Sequence, residues 1–446
     1  MNYIKLYRVG EIILNIKQRV IEVLNEFEKG KYSNILLNEY FSKNNLSKGE
    51  RGFITEVFYG VIRNDIYLNY QLEKRTKSIK KNWIKNLLKI SIYQATFMNS
   101  DDKGVAWEAT ELTKKKFGIP VSKFVNGVLR SYLRDKDDEI KNLKNEDKLD
   151  ILYSYPRWFY DKIKKEYKEN TEAVLISLKK IPYLSIRVNK LKYSESEFET
   201  LLKTLKIDII KKVDTVYYID SGIILHTPEF KEGKIIAQDG SSYLAAKILN
   251  PLPGDKVVDT CSAPGSKTAV LSELMKNSGE IYALDIHQHK IKIIDENLKK
   301  LGITNVKAIK LDARKLKEQG QKFDKILVDA PCSGYGVLRK KPEALYNKNM
   351  VNVKELSTLQ YEILESAACT LKVGGEIVYS TCTIFSEENT DNIIKFLNNH
   401  KNFSVLKISL SENVNGHFDC IGGFLIDYTE EILDNFYIIK LRKDFE

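Results

Sequence analysis

The stretch Val257-Val258-Asp259-Thr260-Cys261-Ser262-Ala263-Pro264-Gly265-Ser266-Lys267-Thr268 decides how this chain is read. It runs from a buried-type strand, through a turn of small residues, into a helix. In such a unit the ligand lies outside the carboxyl end of the strand, and the turn meets it with bare backbone. Small residues let backbone amides come close. The stretch is neither GxGxxG nor GxxxxGK[ST], which disfavours a nucleotide phosphate loop. A purely structural turn stays open on this motif alone.

The same alternation continues downstream. Strands are expected at Lys256–Asp259, Glu280–Asp285, Val306–Ile309, Lys325–Asp329 and Gly375–Ser380, with helices between them. That order implies a doubly wound, mainly parallel sheet. Late strands near Gly422–Leu425 and Phe436–Lys440 are expected to close its edge. Asp285 ends the second strand, where a carboxylate suits a vicinal diol such as that of a ribose. Asp312 follows the third strand and suits an adenine amino group. Each acid also fits a solvated loop or a helix cap.

Two cysteines stand at strand ends. Asp329-Ala330-Pro331-Cys332-Ser333-Gly334-Tyr335-Gly336 closes the fourth strand, and Tyr379-Ser380-Thr381-Cys382-Thr383 closes the fifth. Glu387, Glu388 and Asn389 follow and are expected to open a helix. Cys369 lies beside Ala367 and Ala368 and reads as core, whereas Cys261 and Cys420 receive no chemistry. Paired thiols beside a nucleoside-type pocket suit a pyrimidine. Carbon 5 of that ring is a poor nucleophile, and a thiolate adding at carbon 6 makes it enamine-like, splitting one hard step into two easier ones. Asp329 is placed to hydrogen-bond the ring at N3 and to stabilise the adduct.

Upstream, residues 1–140 read as a bundle of six or seven helices. Val20-Ile21-Val23-Leu24-Phe27, Phe53-Ile54-Val57-Phe58-Val61, Trp83-Leu87-Leu88-Ile90 and Phe124-Val125-Val128-Leu129 carry helical spacing. The charged run at 135–150 reads as a boundary. Residues 151–180 look helical. A strand at Leu184–Asn189, a helix near 194–205 and strands at Ile207–Ile210, Val216–Ile219 and Ile223–His226 then make a small α/β unit.

The chain has 446 residues, 43% hydrophobic and 29% charged, which suits a globular protein with a sizeable core. No uncharged apolar run is long enough for a membrane span. Met1–Val20 is broken by Lys5, Arg8, Glu11 and Lys17 and is no signal-peptide core, so a cytoplasmic location is expected. Five cysteines without a CxxC or CxxH pair argue against a disulfide framework and a structural zinc site. Formal net charge is +11. Residues 1–140 hold 25 Lys and Arg against 17 Asp and Glu, so most of the excess lies there. That asymmetry fits a polyanion partner, and equally a lysine-rich genome.

The SAPGSK loop (Ser262–Lys267), the DAPCSG turn (Asp329–Gly334) and the STCT turn (Ser380–Thr383) resemble the RNA cytosine-5 methyltransferase family. Within it they resemble the bacterial branch acting on small-subunit ribosomal RNA. Gln238-Asp239-Gly240-Ser241-Ser242 and the Leu184–Asn189 strand match as well. Asn25–Gly30, Val57–Arg63 and Phe124–Arg130 resemble the NusB-like domain that this branch carries in front. The resemblance covers essentially the whole chain.

It implies a multidomain fold: an all-α NusB-like bundle (1–140), linker helices with a small α/β domain of RRM or ferredoxin-like type (141–230), and a Rossmann-like doubly wound catalytic domain (231–446). The implied cofactor is S-adenosylmethionine, held by Cys261, Ser262, Ala263, Pro264, Gly265, Ser266 and Lys267 with Asp285, Asp312 and Asp329. The implied reaction is methyl transfer to carbon 5 of one cytosine in 16S ribosomal RNA. Cys382 would be the nucleophile and Cys332 would aid release. In the related DNA enzymes the PC cysteine attacks instead, and the STCT turn favours the RNA assignment. The expected partner is small-subunit ribosomal RNA, naked or in an assembly intermediate, with no membrane, no metal and a monomeric chain. Ser266 and Asn435 stand where the family usually has glycine; either position tolerates the change unless its φ is positive, and asparagine tolerates even that.

Two other classes compete. An RNA- or protein-binding antitermination or assembly factor with a relic catalytic domain would not need intact thiols. A dinucleotide-dependent oxidoreductase would need GxGxxG.

Overall fold

Apolar residues at three- and four-residue spacing build the first part of the chain. The computed structural model describes residues 16–31, 33–347, 349–410 and 413–446. The expectation for Met1–Val20 lies outside the described residues as far as Asn15. Helix α1 (residues 16–27) is followed by α2 (Ser33–Lys43), α3 (Lys48–Arg63), α4 (Asp65–Arg75), α5 (Asn82–Phe97), α6 (Asp102–Phe117) and α7 (Ile119–Asn145). Seven helices among the described residues match the expected bundle. Ser47 and Glu50 form a reciprocal capping box at the start of α3, and the Asp101 carboxylate accepts from Gly104 at the start of α6. Val20, Ile54, Val57, Leu87, Ile90, Val125 and Leu129 share one core. Lys17 is fully buried against Glu108, and burial holds its ammonium below the usual lysine range.

The charged run at 135–150 is helix as far as Asn145, and the helix breaks within it, between Asn145 and Leu149. α7 reaches that far because two residues of the run point inward: Leu143 joins the core, and buried Glu139 pairs with Lys74. Short helices α8 (Leu149–Leu152), α9 (Arg157–Tyr167) and α10 (Thr171–Ser177) follow. Contacts divide the chain into two compact units. One holds the residues up to Ile176 with Lys341–Asn347; the other holds Ser177–Lys340 and the chain after Asn347.

The second unit contains two sheets. The smaller has the order β2-β3-β1-β4, with β1 (Leu184–Val188), β2 (Ile209–Val213), β3 (Val216–Ile219) and β4 (Ile235–Ala237). Helices α11 (Glu195–Thr204) and α12 (Pro228–Lys231) lie between these strands in sequence. This is the expected ferredoxin-like unit with one correction. Ile223–His226 is no strand. Gly222–His226 forms a 3₁₀ turn, because the Ser221 hydroxyl accepts from Ile223 N and Thr227 N closes on Ile224 O. The fourth strand is β4, beyond the expected domain end.

The larger sheet has nine strands. β5 (Lys256–Asp259), β6 (Glu280–Asp285), β7 (Val306–Lys310), β8 (Phe323–Asp329) and β9 (Leu371–Thr381) run parallel in the order β9-β8-β5-β6-β7. Helices α13 (Gly240–Leu249), α14 (Ser266–Leu274) and α15 (Gln288–Leu301) precede or join them. After Lys340 the chain enters the first unit, where α16 (Ala344–Asn347) lies and Tyr346 donates to Ile62 O at 2.9 Å. It returns through α17 (Met350–Thr370) and α18 (Thr390–Asn399). The late strands close the edge as expected: β13 (Phe436–Lys443) pairs antiparallel with β9, and β12 (Phe424–Ile426) with β13. β10 (Phe403–Leu406) and β11 (His417–Phe418) extend that edge and carry too little alternation to be read beforehand. Cys369 is exposed near the end of α17 rather than in the core, since the buried face there is Ala367, Ala368 and Thr370. No helix among the described residues is long and apolar enough to cross a membrane.

Within the first unit the Tyr93 ring sits against Gly60 of α3, so closely that an added Cβ would fall 2.0 Å from it. Alanine is the better helix former by about 1 kcal/mol. Gly60→Ala is nevertheless expected to destabilise the helical unit by about 1–3 kcal/mol, through overpacking. A lower melting transition followed by circular dichroism at the helical minimum checks this; an unchanged or higher one contradicts it.

Candidate active site

Parallel pairing delivers the two thiol turns together. In the β8–β9 register Asp329 stands opposite Ser380, so the DAPCSG and STCT turns leave the sheet at the same edge. Cys332 Sγ lies 2.9 Å from Cys382 Sγ, and Cys382 N donates to Cys332 Sγ at 3.3 Å. The hydrogen bond to Cys382, and then burial, hold the Cys332 thiol well above the usual range. The two sulfurs share one hydrogen bond, and either thiol can be its donor.

A buried carboxylate clamps the two turns. Glu388 is fully buried; it accepts from Ser333 N at 2.8 Å, from the Ser333 hydroxyl and from Gln360 Nε2 at 2.9 Å. Gln360 also donates to Pro331 O at 3.0 Å, and Tyr379 donates to Glu388 O at 2.6 Å. Ser333 and Thr383 join the turns directly, hydroxyl to hydroxyl at 2.7 Å. Glu388 does not open a helix as its sequence suggests; it lies in a 3₁₀ turn, Ser386–Glu388, and α18 starts only at Thr390. Only its place shortly after the STCT turn hinted at this. At Gly336 the backbone threads between Cys382 O and Asn435 O, both within 3.0 Å of where a Cβ would stand. Gly336 N donates to Cys382 O at 2.9 Å, and Asn435 N donates to Gly336 O at 3.2 Å.

Charges converge beside the thiols. Lys267 Nζ pairs with Asp329 Oδ2 at 2.7 Å, and Ser380 donates to Asp329 Oδ1 at 2.9 Å. Burial alone would lower the Lys267 ammonium, but Asp329, with Asp259 and Cys382 adding, raises it above its usual value. Asp259 is completely buried at the end of β5. Burial pushes its carboxyl up to about 7, with Thr268 donating to Oδ2 at 2.7 Å. A second group of acids around one cation lies in the same unit. Lys340 Nζ bridges Asp239 at 2.6 Å and Asp434 at 2.8 Å, and burial next to Asp239 pushes Asp434 up to about 6.

The small-residue turn behaves as its composition requires. Gly265 has φ +99°, whereas Ser266 begins α14 with no positive φ, so the serine costs nothing there. Asn435 is also free of positive φ; it is buried and donates to Ile426 O at 3.2 Å. No side chain caps α14, so the amides of its first turn suit an anionic group. Asp285 accepts from His287 N at 2.9 Å and lies 3.5 Å from Lys290. Asp312 serves as a cap, accepting from Arg314 N, and both its oxygens also meet the Arg314 guanidinium. Burial pushes the Cys261 thiol up to about 12, in keeping with a residue that does no chemistry. Among the described residues no group of three or more His, Cys, Asp or Glu is placed to hold a metal ion.

Uncapped amides, a strand-end acid, and paired thiols beside an Asp–Lys pair suit a zwitterionic ribose-bearing molecule and an electrophilic ring. Comparison with known proteins agrees with this fold. The description "16S rRNA methyltransferase RsmB/F" matches residues 246–442, the NusB family matches 10–134, and the RsmF/B-like ferredoxin-like domain matches 155–229. A curated relative, the probable ribosomal RNA small subunit methyltransferase B of Bacillus subtilis (strain 168), is 34% identical, covering 96% of this chain and 99% of its own. The crystal structure of PH0851 is 29% identical with a TM-score of 0.80 and covers 96% of this chain and 99% of its own. A methyltransferase homolog from Pyrococcus horikoshii is 30% identical with a TM-score of 0.58, over 65% of this chain and 95% of its own.

Because the folded pKa of Asp259 is raised, the native state holds more protons than the unfolded chain between about pH 4 and 7. The group therefore weakens the fold as pH rises through that window, by up to about 4 kcal/mol. Asp259→Asn is expected to gain stability over the parent protein between pH 5 and pH 8, measured as the difference in thermal midpoint. A difference independent of pH contradicts the assignment.

Proposed function

Because the chain belongs to the 16S rRNA methyltransferase RsmB/F family, we propose that it methylates carbon 5 of a cytosine in small-subunit ribosomal RNA, in the cytoplasm. The observation that carries this reading is the meeting of Cys332 and Cys382 at 2.9 Å beside the Asp329–Lys267 pair. The cofactor is S-adenosylmethionine, which when bound supplies an electrophilic methyl group. Its carboxylate suits the amides around Ser262–Ser266 at the uncapped start of α14, and its ribose suits Asp285. Asp312, whose two oxygens are taken up by Arg314, would receive an adenine amino group only in exchange for part of that pairing.

Cys382 is the nucleophile. In this reading Cys332 is the donor of the 2.9 Å sulfur–sulfur hydrogen bond, and the Lys267 ammonium, held by Asp329, favours a thiolate at Cys382. The thiolate adds to carbon 6 of the cytosine, and the electron pair of the C5–C6 double bond moves to carbon 5 and the ring. N3 takes up a proton from water as that pair arrives, and the Asp329 carboxylate, fixed by Lys267 and Ser380, accepts from the N3–H and stabilises the adduct. Once carbon 5 carries the methyl group, its proton leaves to a base and the C6–S bond breaks. The double bond returns, and Cys382 departs as thiolate. The Cys332 S–H donates to that departing sulfur, and this is how it aids release.

Small-subunit ribosomal RNA is incubated with methyl-labelled S-adenosylmethionine, digested, and the labelled nucleoside identified. Label is expected in 5-methylcytidine, with Cys382→Ala losing at least about a hundredfold in rate. Cys332→Ala is expected to accumulate a covalent RNA adduct. Label lost with Cys332→Ala but kept with Cys382→Ala would exchange the two roles. No label on RNA or on immature subunits would favour the assembly-factor reading instead.

A further inference from the structure

Helices α6 and α7 are joined through Gly118, and a groove of about 580 Å³ runs between them. The core face of α6 is Val105, Ala109 and Leu112, and Trp107 points away from it, 56% exposed. A single exposed apolar side chain is ordinary. What surrounds this one is not. On α7, Asn126, Arg130 and Arg134 recur at four-residue spacing and line the same groove, with Lys103 one turn before Trp107 on α6. Among the described residues no hydrogen bond or ion pair engages the side chains of Lys103, Asn126 or Arg130, and no ring contact engages Trp107. Asp102 also lines the groove, but Lys136 neutralises it with two contacts of 2.8 Å. Arg134 is paired with neighbouring Asp135 while staying 73% exposed. The groove therefore presents a free indole face, a free amide and two free cations.

We propose that this groove binds a single-stranded segment of RNA, one base stacking on Trp107 and the flanking phosphates meeting Arg130 and Lys103. The indole offers a π-face that any unpaired base can use, whereas bases inside a duplex are stacked already. Asn126 is placed to reach the edge of the stacked base. Cations on both walls give the charge complement that a phosphodiester chain requires. The inference rests on the reading of this chain as an RNA methyltransferase and names where its helical unit grips the substrate. It also accounts for Asn126 and Arg130 in the Phe124–Arg130 stretch, which the packing of α7 does not need.

The test uses the full chain and a fluorescent, unstructured oligopyrimidine ribonucleotide of about ten nucleotides, a length within the usual single-strand site sizes. Trp107→Ala is expected to raise Kd at least about fivefold, and Trp107→Phe, which keeps a ring, to restore most of the affinity. Arg130→Ala is expected to reduce the slope of log affinity against log salt by about 0.7, one phosphate contact on a single strand. Wild-type affinity and salt slope in both alanine variants would overturn the proposal and give the groove to a protein partner. Equal weakening by Trp107→Ala and Trp107→Phe would also overturn it, since stacking would not be the cause. Methyl transfer is assayed on the same preparation. Label with unaffected groove variants sinks the groove alone. No label with the groove effects intact sinks the methyltransferase reading and leaves the groove.

Discussion

Asp329 and Ser380 are register partners at the ends of β8 and β9, and the chemistry of the second unit depends on that pairing. Parallel neighbours end on the same side of a sheet, so the residues that follow them have to share space. The Ser380 hydroxyl and the Ala330 amide tie the ends together. Fully buried Glu388, which follows β9, then accepts from Ser333 in the turn after β8 and from Gln360 of α17. A buried carboxylate is tolerable only when its lone pairs are used. The same requirement that makes Glu388 stable also fixes where Cys332 stands.

Around this clamp the protein buries charge in small closed groups. Lys267 answers Asp329, and Lys340 answers both Asp239 and Asp434. In each group acids outnumber cations once Asp259 is included, and an acid is pushed upward: Asp259 to about 7 and Asp434 to about 6. Breaking a buried pair costs more than the pair contributes, because the remaining charge has no water to turn to. Lys340 also links the turn after Cys332 to the loop before β13, as Gly336 does through its backbone. The departures at Ser266 and Asn435 are accommodated for one local reason: neither residue is asked for a positive φ.

Much of the architecture was legible from spacing. The five parallel strands lie where branched apolar runs end in an acid or a small-residue turn, and the helices of the first unit follow their three- and four-residue apolar pattern. Failures came where local preference met a long-range partner. Ile223–His226 has strand composition, yet Ser221 and Thr227 supply turn bonds that a strand cannot offer. The charged run at 135–150 does fall between the matched NusB (10–134) and ferredoxin-like (155–229) stretches, but as far as Asn145 it is helix, with Glu139 paired to Lys74 65 residues away. Cys369 was misjudged because Ala367 and Ala368 lie on a different side of the same turn.

By itself the sequence determined the alternation of strands and helices, the small-residue turn, and the presence of two thiols at strand ends. Each of these depends on residues close together in the chain, so periodicity and turn chemistry reveal them. Tertiary structure alone decided that the two thiols meet, that Glu388 clamps their turns, and that burial pushes the Asp259 carboxyl up to about 7. Those properties belong to distances across the fold. Desolvation and charge act through space, and residues as far as 50 or more positions apart help to set them.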